Sequence, residues 1–372
     1  MKGINVKIVY IAPLPPPING HSLVSKAFYD ALELDYDVKA INLSKKSFVE
    51  GVDSFGRIIE IIKILKDVWF NKKDASSIYL TISESLAGNL KDILIYLLCF
   101  NKLSKMYIHL HGGSIKKLLW DRHKALYFVN KFFIKRLGGI IISGESHLEI
   151  FSFVDRPKIH IVPNFAPDGM FVSEEHVKTK FLNLMPLRIL YLSNFIEKKG
   201  YNELLEAYLT LDEIHKSQVT IDFAGRFESE SQKQLFLQKL KGHSGIRYHG
   251  AVDDEMKRKL FAESHIFCLP TAFLEGQPIS ILEAYAAGCV VLTTGQSGIL
   301  DIFTNEINGY QIQEKSPDSI KHTLEQILVT PQDMLPVALN NVRTAGRKHR
   351  ISAYNSSLHN IIAVSKPNLK ST

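Results

Sequence analysis

Three cysteines in 372 residues, Cys99, Cys268 and Cys289, all in apolar surroundings and none in C-x-x-C spacing, give no complete disulfide framework. A reducing cytoplasm is the expected compartment. Long apolar runs are also missing: the longest, from Asp92 to Phe100 in effect, falls far short of the ~20 residues that span a bilayer. Met1–Ala12 has apolar positions but no cleavable-signal pattern, so no segment is expected to cross a membrane. There is no repeat at solenoid spacing and no low-complexity tract. The first apolar run is not followed by G-x-G-x-x-G, which weighs against a dinucleotide dehydrogenase.

What is present describes a soluble globular chain, with 45% apolar and 22% charged residues and a mean hydropathy near zero. Its length suggests two domains. The basic balance is uneven. Residues 1–166 carry 23 Lys and Arg against 15 Asp and Glu, whereas residues 167–372 carry 22 against 23. A nucleic-acid reader has that asymmetry, and so has a protein that rests one domain on an anionic membrane. Nucleic acid is disfavoured, because the basic residues mix with a continuous apolar stripe and no nucleic-acid motif accompanies them.

Short apolar runs alternate with helical stretches. Val6–Ile11, Tyr36–Leu43, Ser77–Ile82, Met106–His111 and Gly139–Ser143 read as strands, with a helix from about Ser22 to Leu34. A second set comprises Arg188–Ser193, Val219–Ala224, Arg247–Gly250, His265–Leu269, Val290–Thr293 and Gly309–Ile312. This β-α alternation implies mainly parallel sheets, hence two Rossmann-like doubly wound α/β domains. Pro163, Asn164, Pro167 and Gly169 punctuate the join. The expected division is 1–165, 166–349, and a last helical segment, 350–372, that could cap either domain.

In parallel sheets ligands bind beyond the carboxyl ends of the strands. After the first strand, Pro13 to His21 is a proline-stiffened loop in which Gly20 lets backbone approach a ligand at a helix start, or is simply a rigid turn. His111 ends the fourth apolar run, with two glycines after it. Tyr107, His109 and His111 share a face by alternation. A metal pair at His109 and His111 lacks a third ligand, and a satisfied structural histidine is the plainer alternative. The strongest local signal runs from Pro270 through Glu275, Gly276, Gln277, Pro278, Ile279, Ser280 and Glu283 to Gly288. A helix beginning near Pro278 offers free amides to phosphate, and the two carboxylates can hold sugar hydroxyls. Alternatively, they are two solvated surface glutamates.

The pattern E-G-x-P-x-x-x-x-E-A-x-A-x-G from Glu275 to Gly288 resembles the E-x7-E signature of retaining, nucleotide-sugar-dependent glycosyltransferases of family-4 type, which have the GT-B fold. Asn19-Gly20 resembles that family's glycine loop, His111 its active-site histidine, and Asn194 to Gly200 its R-x4-K-G segment. Gly250-Ala-Val252 agrees in order and spacing, and Tyr354–Ile362 resembles the last helix that crosses back to the first domain. Asn194 departs from the family, standing where an Arg is usual, so Lys199 alone carries over as a diphosphate cation. Arg226 could supply the missing charge, or be an ordinary loop arginine. Gln277 replaces a common apolar residue, and Asn19 the first of two glycines.

The resemblance implies two domains facing across a cleft and metal-independent transfer from a UDP- or GDP-sugar, with no other cofactor. Lys199 and the amides near Ile279 and Ser280 would stabilise the leaving diphosphate, Glu283 would bind ribose, Glu275 would hold the donor sugar, and His111 would sit near sugar and acceptor. Gly20, Val252, Gly276 and Gln277 complete the expected donor site. Asp35-Tyr-Asp37 matches a metal-binding D-x-D only by chance. Ser114–Leu137 holds seven basic residues among aromatics and one acid, so it either lies on an anionic membrane or packs its aromatic face on a sheet. A lipid-linked glycan acceptor, as in surface-polysaccharide or O-antigen assembly on the inner face of the cytoplasmic membrane, fits the first alternative. A GT-B epimerase or phosphorylase and a catalytically silent sugar-nucleotide-binding subunit are the other readings.

Overall fold

The computed structural model describes residues 6–16, 20–44 and 54–362. It divides into two compact units, Met1–Asn164 with Ser352–Thr372, and Phe165–Ile351.

The first unit contains β1 (Lys7–Ala12), α1 (Gly20–Glu33), β2 (Asp37–Asn42), α2 (Ser54–Asn71), β3 (Ser77–Thr81), α3 (Leu86–Leu98), β4 (Met106–Leu110), α4 (Lys124–Ile134), β5 (Gly139–Ile142) and β6 (Ile159–Ile161). All strands pair in parallel, in the order β2-β1-β3-β4-β5-β6. The strand β6 was not expected. At three residues, just after Pro157, it is too short to show a period. β4 ends at Leu110 rather than His111, which puts His111 in the loop beyond the sheet.

The second unit contains α5 (Glu174–Lys180), β7 (Leu187–Leu192), α6 (Tyr201–Leu209), α7 (Glu213–Ser217), β8 (Val219–Ala224), α8 (Glu230–Leu240), β9 (Ile246–Tyr248), α9 (Asp254–Glu263), β10 (Ile266–Leu269), α10 (Ile279–Ala286), β11 (Val290–Thr293), α11 (Ser297–Leu300), β12 (Gly309–Gln311), α12 (Pro317–Val329) and α13 (Met334–Lys348). Its parallel order, β12-β11-β10-β7-β8-β9, is the doubly wound dinucleotide-domain arrangement. The helix α14 (Ile351–Ile362) closes the described chain. Tyr354, Leu358 and Ile362 are its buried residues. Among the described residues no helix is long and apolar enough to cross a membrane.

Right-handed crossovers place α2, α3 and α4 on one face of the first sheet. The helix α3 departs from an ordinary amphipathic helix: it buries Asn89, Lys91 and Asp92 beside Ile95 and Tyr96, while Leu86, Leu90, Leu94 and Leu97 are exposed. Its buried polar groups have partners. Asn89 and Asn130 of α4 exchange two amide hydrogen bonds, at 3.1 and 2.8 Å. Asp92 accepts from the Ser83 amide at 2.7 Å and pairs with Lys91 at 3.2 Å. The stretch Ser114–Leu137 is not one amphipathic element but a π-turn (Lys116–Trp120) followed by α4. Leu119, Trp120, Phe133 and Leu137 are core, while Leu118, Phe128 and Phe132 are exposed.

The Asn89–Asn130 exchange generates a prediction. Asn89→Leu strands a buried amide and should cost roughly 1–3 kcal/mol. Asn89→Leu/Asn130→Leu should recover much of that loss in urea unfolding, whereas additive losses would mean that the exchange does not couple the helices.

Candidate active site

Where strand order reverses, neighbouring loops leave the sheet in opposite directions and open a crevice at its carboxyl edge. In the second unit the reversal lies between β7 and β10. The loops after these strands are joined by backbone: the Ala272 amide donates to the Lys198 carbonyl at 2.8 Å, and Thr271 Oγ1 lies 3.3 Å from the same carbonyl. Gly200, at φ +83°, permits that approach, because a Cβ there would lie 2.2 Å from the Pro270 carbonyl oxygen. The joined loops bring Lys199 to Glu275. Lys199 Nζ donates to Glu275 Oε1, which also accepts from Thr271 Oγ1 at 3.1 Å, and the Lys199 ammonium lies 4.9 Å from the Phe273 ring centre.

Glu275 and Glu283 are both buried, so the solvated-surface alternative for these carboxylates is excluded. Glu283 sits in α10, which buries every residue from Ile281 to Ala286, and it accepts from Lys257 Nζ of α9 at 2.9 Å. Burial alone would pull the Lys257 ammonium down, but Glu283 and Asp254 outweigh it and hold Lys257 above its ordinary value. Pro278 is the N-cap of α10 rather than its first residue. Ile279 and Ser280, half-buried, open the first turn, whose amides have no intrahelical acceptor. Gly276 and Gln277 are buried between the two carboxylates in sequence. The carbonyl of Gly276 would lie 1.6 Å from a Cβ on Gly298, so α11 packs directly on this loop.

Asn194 and Arg226 are both exposed and lie on adjoining loops. The Phe195 amide donates to the Arg226 carbonyl at 2.9 Å, and Phe195 and Phe227 form a parallel bridge. Val252 packs half-buried on the core just before α9. The structure therefore brings Lys199 together with Glu275, and it adds two residues that the sequence did not single out, Thr271 and Lys257. Lys257 lies in the charged run Asp253 to Lys259, which in sequence reads as a solvated helix face.

In the first unit the order reverses between β1 and β3. Gly20 begins α1; Asn19 lies outside the described residues. His21 packs against His111, with ring centres 4.5 Å apart, and His111 stacks on His109 at 3.8 Å. The His109 ring bonds the Tyr79 hydroxyl at 2.6 Å through Nδ1. Both ring nitrogens of His111 are buried with no hydrogen-bond partner among the described residues, so it is not a satisfied structural histidine. Burial and the neighbouring rings hold His111 well below its ordinary value, and burial takes His109 to about 3 and His21 to about 4. Glu84, after β3, accepts from the Ser114 and Ile115 amides at 2.6 and 2.9 Å and so ties down the loop that carries His111. Among the described residues no group of three His, Cys, Asp or Glu side chains could hold a metal. Asp35 lies 3.6 Å from His359 of α14.

Comparison with known proteins bears on this edge of the second sheet. Residues 172–348 match the family Glycosyl transferases group 1. The chain is 23% identical over 270 residues to the uncharacterized glycosyltransferase MJ1069 of Methanocaldococcus jannaschii, covering 68% of this chain and 66% of that one. It is 25% identical over 159 residues to the amylovoran biosynthesis glycosyltransferase AmsK of Erwinia amylovora, covering 41% and 39%. The chain spans from about a third to two thirds of the length of the curated relatives it matches. Among solved structures, Anabaena Alr3699/HepE in complex with UDP and glucose superposes with a TM-score of 0.71 at 13% identity, over 95% of this chain and 98% of that one. The two six-stranded parallel units have the GT-B fold.

The histidine cluster sets a pH dependence. Each ring takes a proton in the unfolded chain below about pH 6.5 and resists it in the folded one, so stability falls as pH drops through that value. Asp92, pushed up to about 6 by burial against the pull of Lys91, works in the opposite direction, as does Glu84, raised by burial. With His160 and His265 also lowered by burial and Glu203 also raised by it, five imidazoles against three carboxyls leave a net loss. The melting temperature should fall between about pH 7 and pH 5, with a shallower slope in His21→Gln. A flat profile in the unmodified protein would mean that the rings are already charged in the fold.

Proposed function

We propose that this protein is a retaining, metal-independent glycosyltransferase of family-4 type. It moves a sugar from a UDP- or GDP-sugar to a hydroxyl of a lipid-linked glycan in bacterial surface-polysaccharide or O-antigen synthesis, peripheral on the inner face of the cytoplasmic membrane. The observation that carries the reading is the pair of buried carboxylates flanking the start of α10, each held by one lysine, at the strand-order reversal within the stretch that matches the family. AmsK, named for a polysaccharide, supports the glycan acceptor. HepE, solved with UDP and glucose, supports the donor class.

The dominant cost of transfer is negative charge on the departing diphosphate. Lys199 meets it together with the amides of Ile279 and Ser280. Donor binding lets Lys199 exchange Glu275 for the diphosphate, and this frees Glu275 for the hydroxyls of the transferred sugar. Glu283, preset by Lys257, accepts from the ribose hydroxyls. Gln277 reads a further sugar hydroxyl, Gly276 and Val252 shape the donor site, and Arg226 makes up the charge that Asn194 lacks. In the first unit, by the family resemblance, neutral His111 serves a hydroxyl and Gly20 lets backbone approach a ligand.

Two hydrogen bonds to a charged carboxylate, at roughly 1.5–3 kcal/mol each, imply that Glu283→Ala loses about 100-fold or more in donor affinity by calorimetry. Unchanged affinity would remove Glu283 from the site. Lys199→Ala should lower turnover by roughly 100- to 1,000-fold, more than it raises the donor KM, while Asn194→Arg is tolerated. Near-normal turnover in Lys199→Ala would transfer the charge-neutralising role to Arg226.

A further inference from the structure

The helix α3 is the centre of a larger surface. On α2, Ile58, Ile59, Ile62, Trp69 and Phe70 are exposed. On α4, Phe128, Val129 and Phe132 are exposed, and Phe132 stacks with exposed Phe100 just beyond α3, at 6.5 Å between ring centres. These helices are neighbours on one sheet face, so the leucines of α3 lie between two flanks of isoleucine, tryptophan and phenylalanine. An apolar area of this extent is unusual on a soluble domain. Its fully exposed charges on the helices are basic, while half-buried Glu60 and Asp67 lie on α2 and exposed Asp121, just ahead of α4, pairs with Lys124 at 3.8 Å. Arg57, Lys63 and Lys66 of α2 and Lys124, Lys135 and Arg136 at the ends of α4 are exposed. The three helices carry no exposed carboxylate among the described residues: Glu60 and Asp67 are half-buried and Asp92 is buried.

We infer that α2, α3 and α4 together form a monotopic insertion face, whose leucines and aromatics enter the acyl boundary of an anionic bilayer while the lysines and arginines engage its phosphates. The observations favour lipid over a second copy of the chain, because a self-pairing of this face would set its cations against one another. A bilayer surface supplies the apolar phase and the negative charge at once. The helices anchor themselves with Val68, Ile95, Tyr96, Phe133 and Ile134 in the core, yet leave a second set of leucines and aromatics outside, and the buried polar side chains of α3 are satisfied by the Asn89–Asn130 and Lys91–Asp92 contacts. This deepens the membrane part of the proposed function and rests on that part alone.

The chain has two tryptophans, and Trp69 lies on the face while Trp120 is core. The full chain is mixed with vesicles of phosphatidylglycerol and phosphatidylethanolamine, with brominated acyl chains for fluorescence, without donor or acceptor. Donor binding is measured separately without vesicles, so the two readings fail independently. Brominated chains should quench the fluorescence of the unmodified protein, and Trp69→Phe should abolish most of that quenching. High salt should weaken flotation without eliminating it, and Leu94→Glu/Phe128→Glu should reduce it at least about tenfold while leaving donor affinity unchanged. Both substituted positions are exposed, and circular dichroism verifies that the variant is folded. Flotation that vanishes in high salt, or no quenching of Trp69, would overturn insertion. A dimer dissociated by Leu94→Glu/Phe128→Glu, with no flotation, would assign the face to a second copy instead.

Discussion

Two carboxylates, Glu275 and Glu283, are held out of water at the carboxyl edge of the second sheet, each by a single lysine. Desolvating a charge costs several kcal/mol unless the partner is close and well placed. The local structure around them supplies that placement. Backbone bonds join the loops after β7 and β10, Gly200 allows them to touch, Gly298 lets α11 pack on the second of them, and α9 lays Lys257 against α10. Packing a hydrophobic pair in these positions would stabilise the unit with far less machinery. Retaining two buried ion pairs at one sheet edge therefore points to binding rather than to stability.

The same logic separates the two lysines. Lys257 fixes Glu283 from a neighbouring helix and has no reason to leave it. Lys199 comes from a loop and shares Glu275 with Thr271, so an incoming polyanion can compete for it. In the first unit the corresponding edge carries a cluster of three imidazoles that burial and their neighbours hold below their ordinary values. A neutral ring can donate or accept a hydrogen bond without repelling a cation or attracting stray phosphate, and that suits the reception of a hydroxyl.

Much of the architecture was legible because buried parallel strands read as short apolar runs, and eleven of them alternate visibly with helices. What periodicity could not give was direction. Leu86 to Leu98 is apolar enough that either face could be core, and the pairing of Asn89 with Asn130, 41 residues away, together with the burial of Ile95 and Tyr96, turns the leucines outward. The aromatic stretch Ser114–Leu137 was ambiguous for the same reason, and the structure divides it: Trp120 and Phe133 go inward, Phe128 and Phe132 outward. In the site, Glu275 and Glu283 stood out by local pattern and Lys199 by the family resemblance. Lys257, Glu84 and His21 did not, because each gains its meaning from a residue on a different loop or helix. A lysine within Asp253 to Lys259 carries no mark of burial until α10 is packed against it.

The claim on which the account depends is that the second unit holds a nucleoside-diphosphate sugar and gives up the sugar with retention. The most direct measurement incubates the full chain with a panel of UDP- and GDP-sugars, with and without acceptor, follows nucleoside diphosphate release, and determines the anomeric configuration of the first-formed product by NMR. The account predicts release from one donor without added metal, and a product with the donor's own anomeric configuration. Inverted product would contradict the retaining assignment, and no release from any donor, despite tight nucleotide-sugar binding, would make the protein a sugar-nucleotide-binding subunit rather than an enzyme.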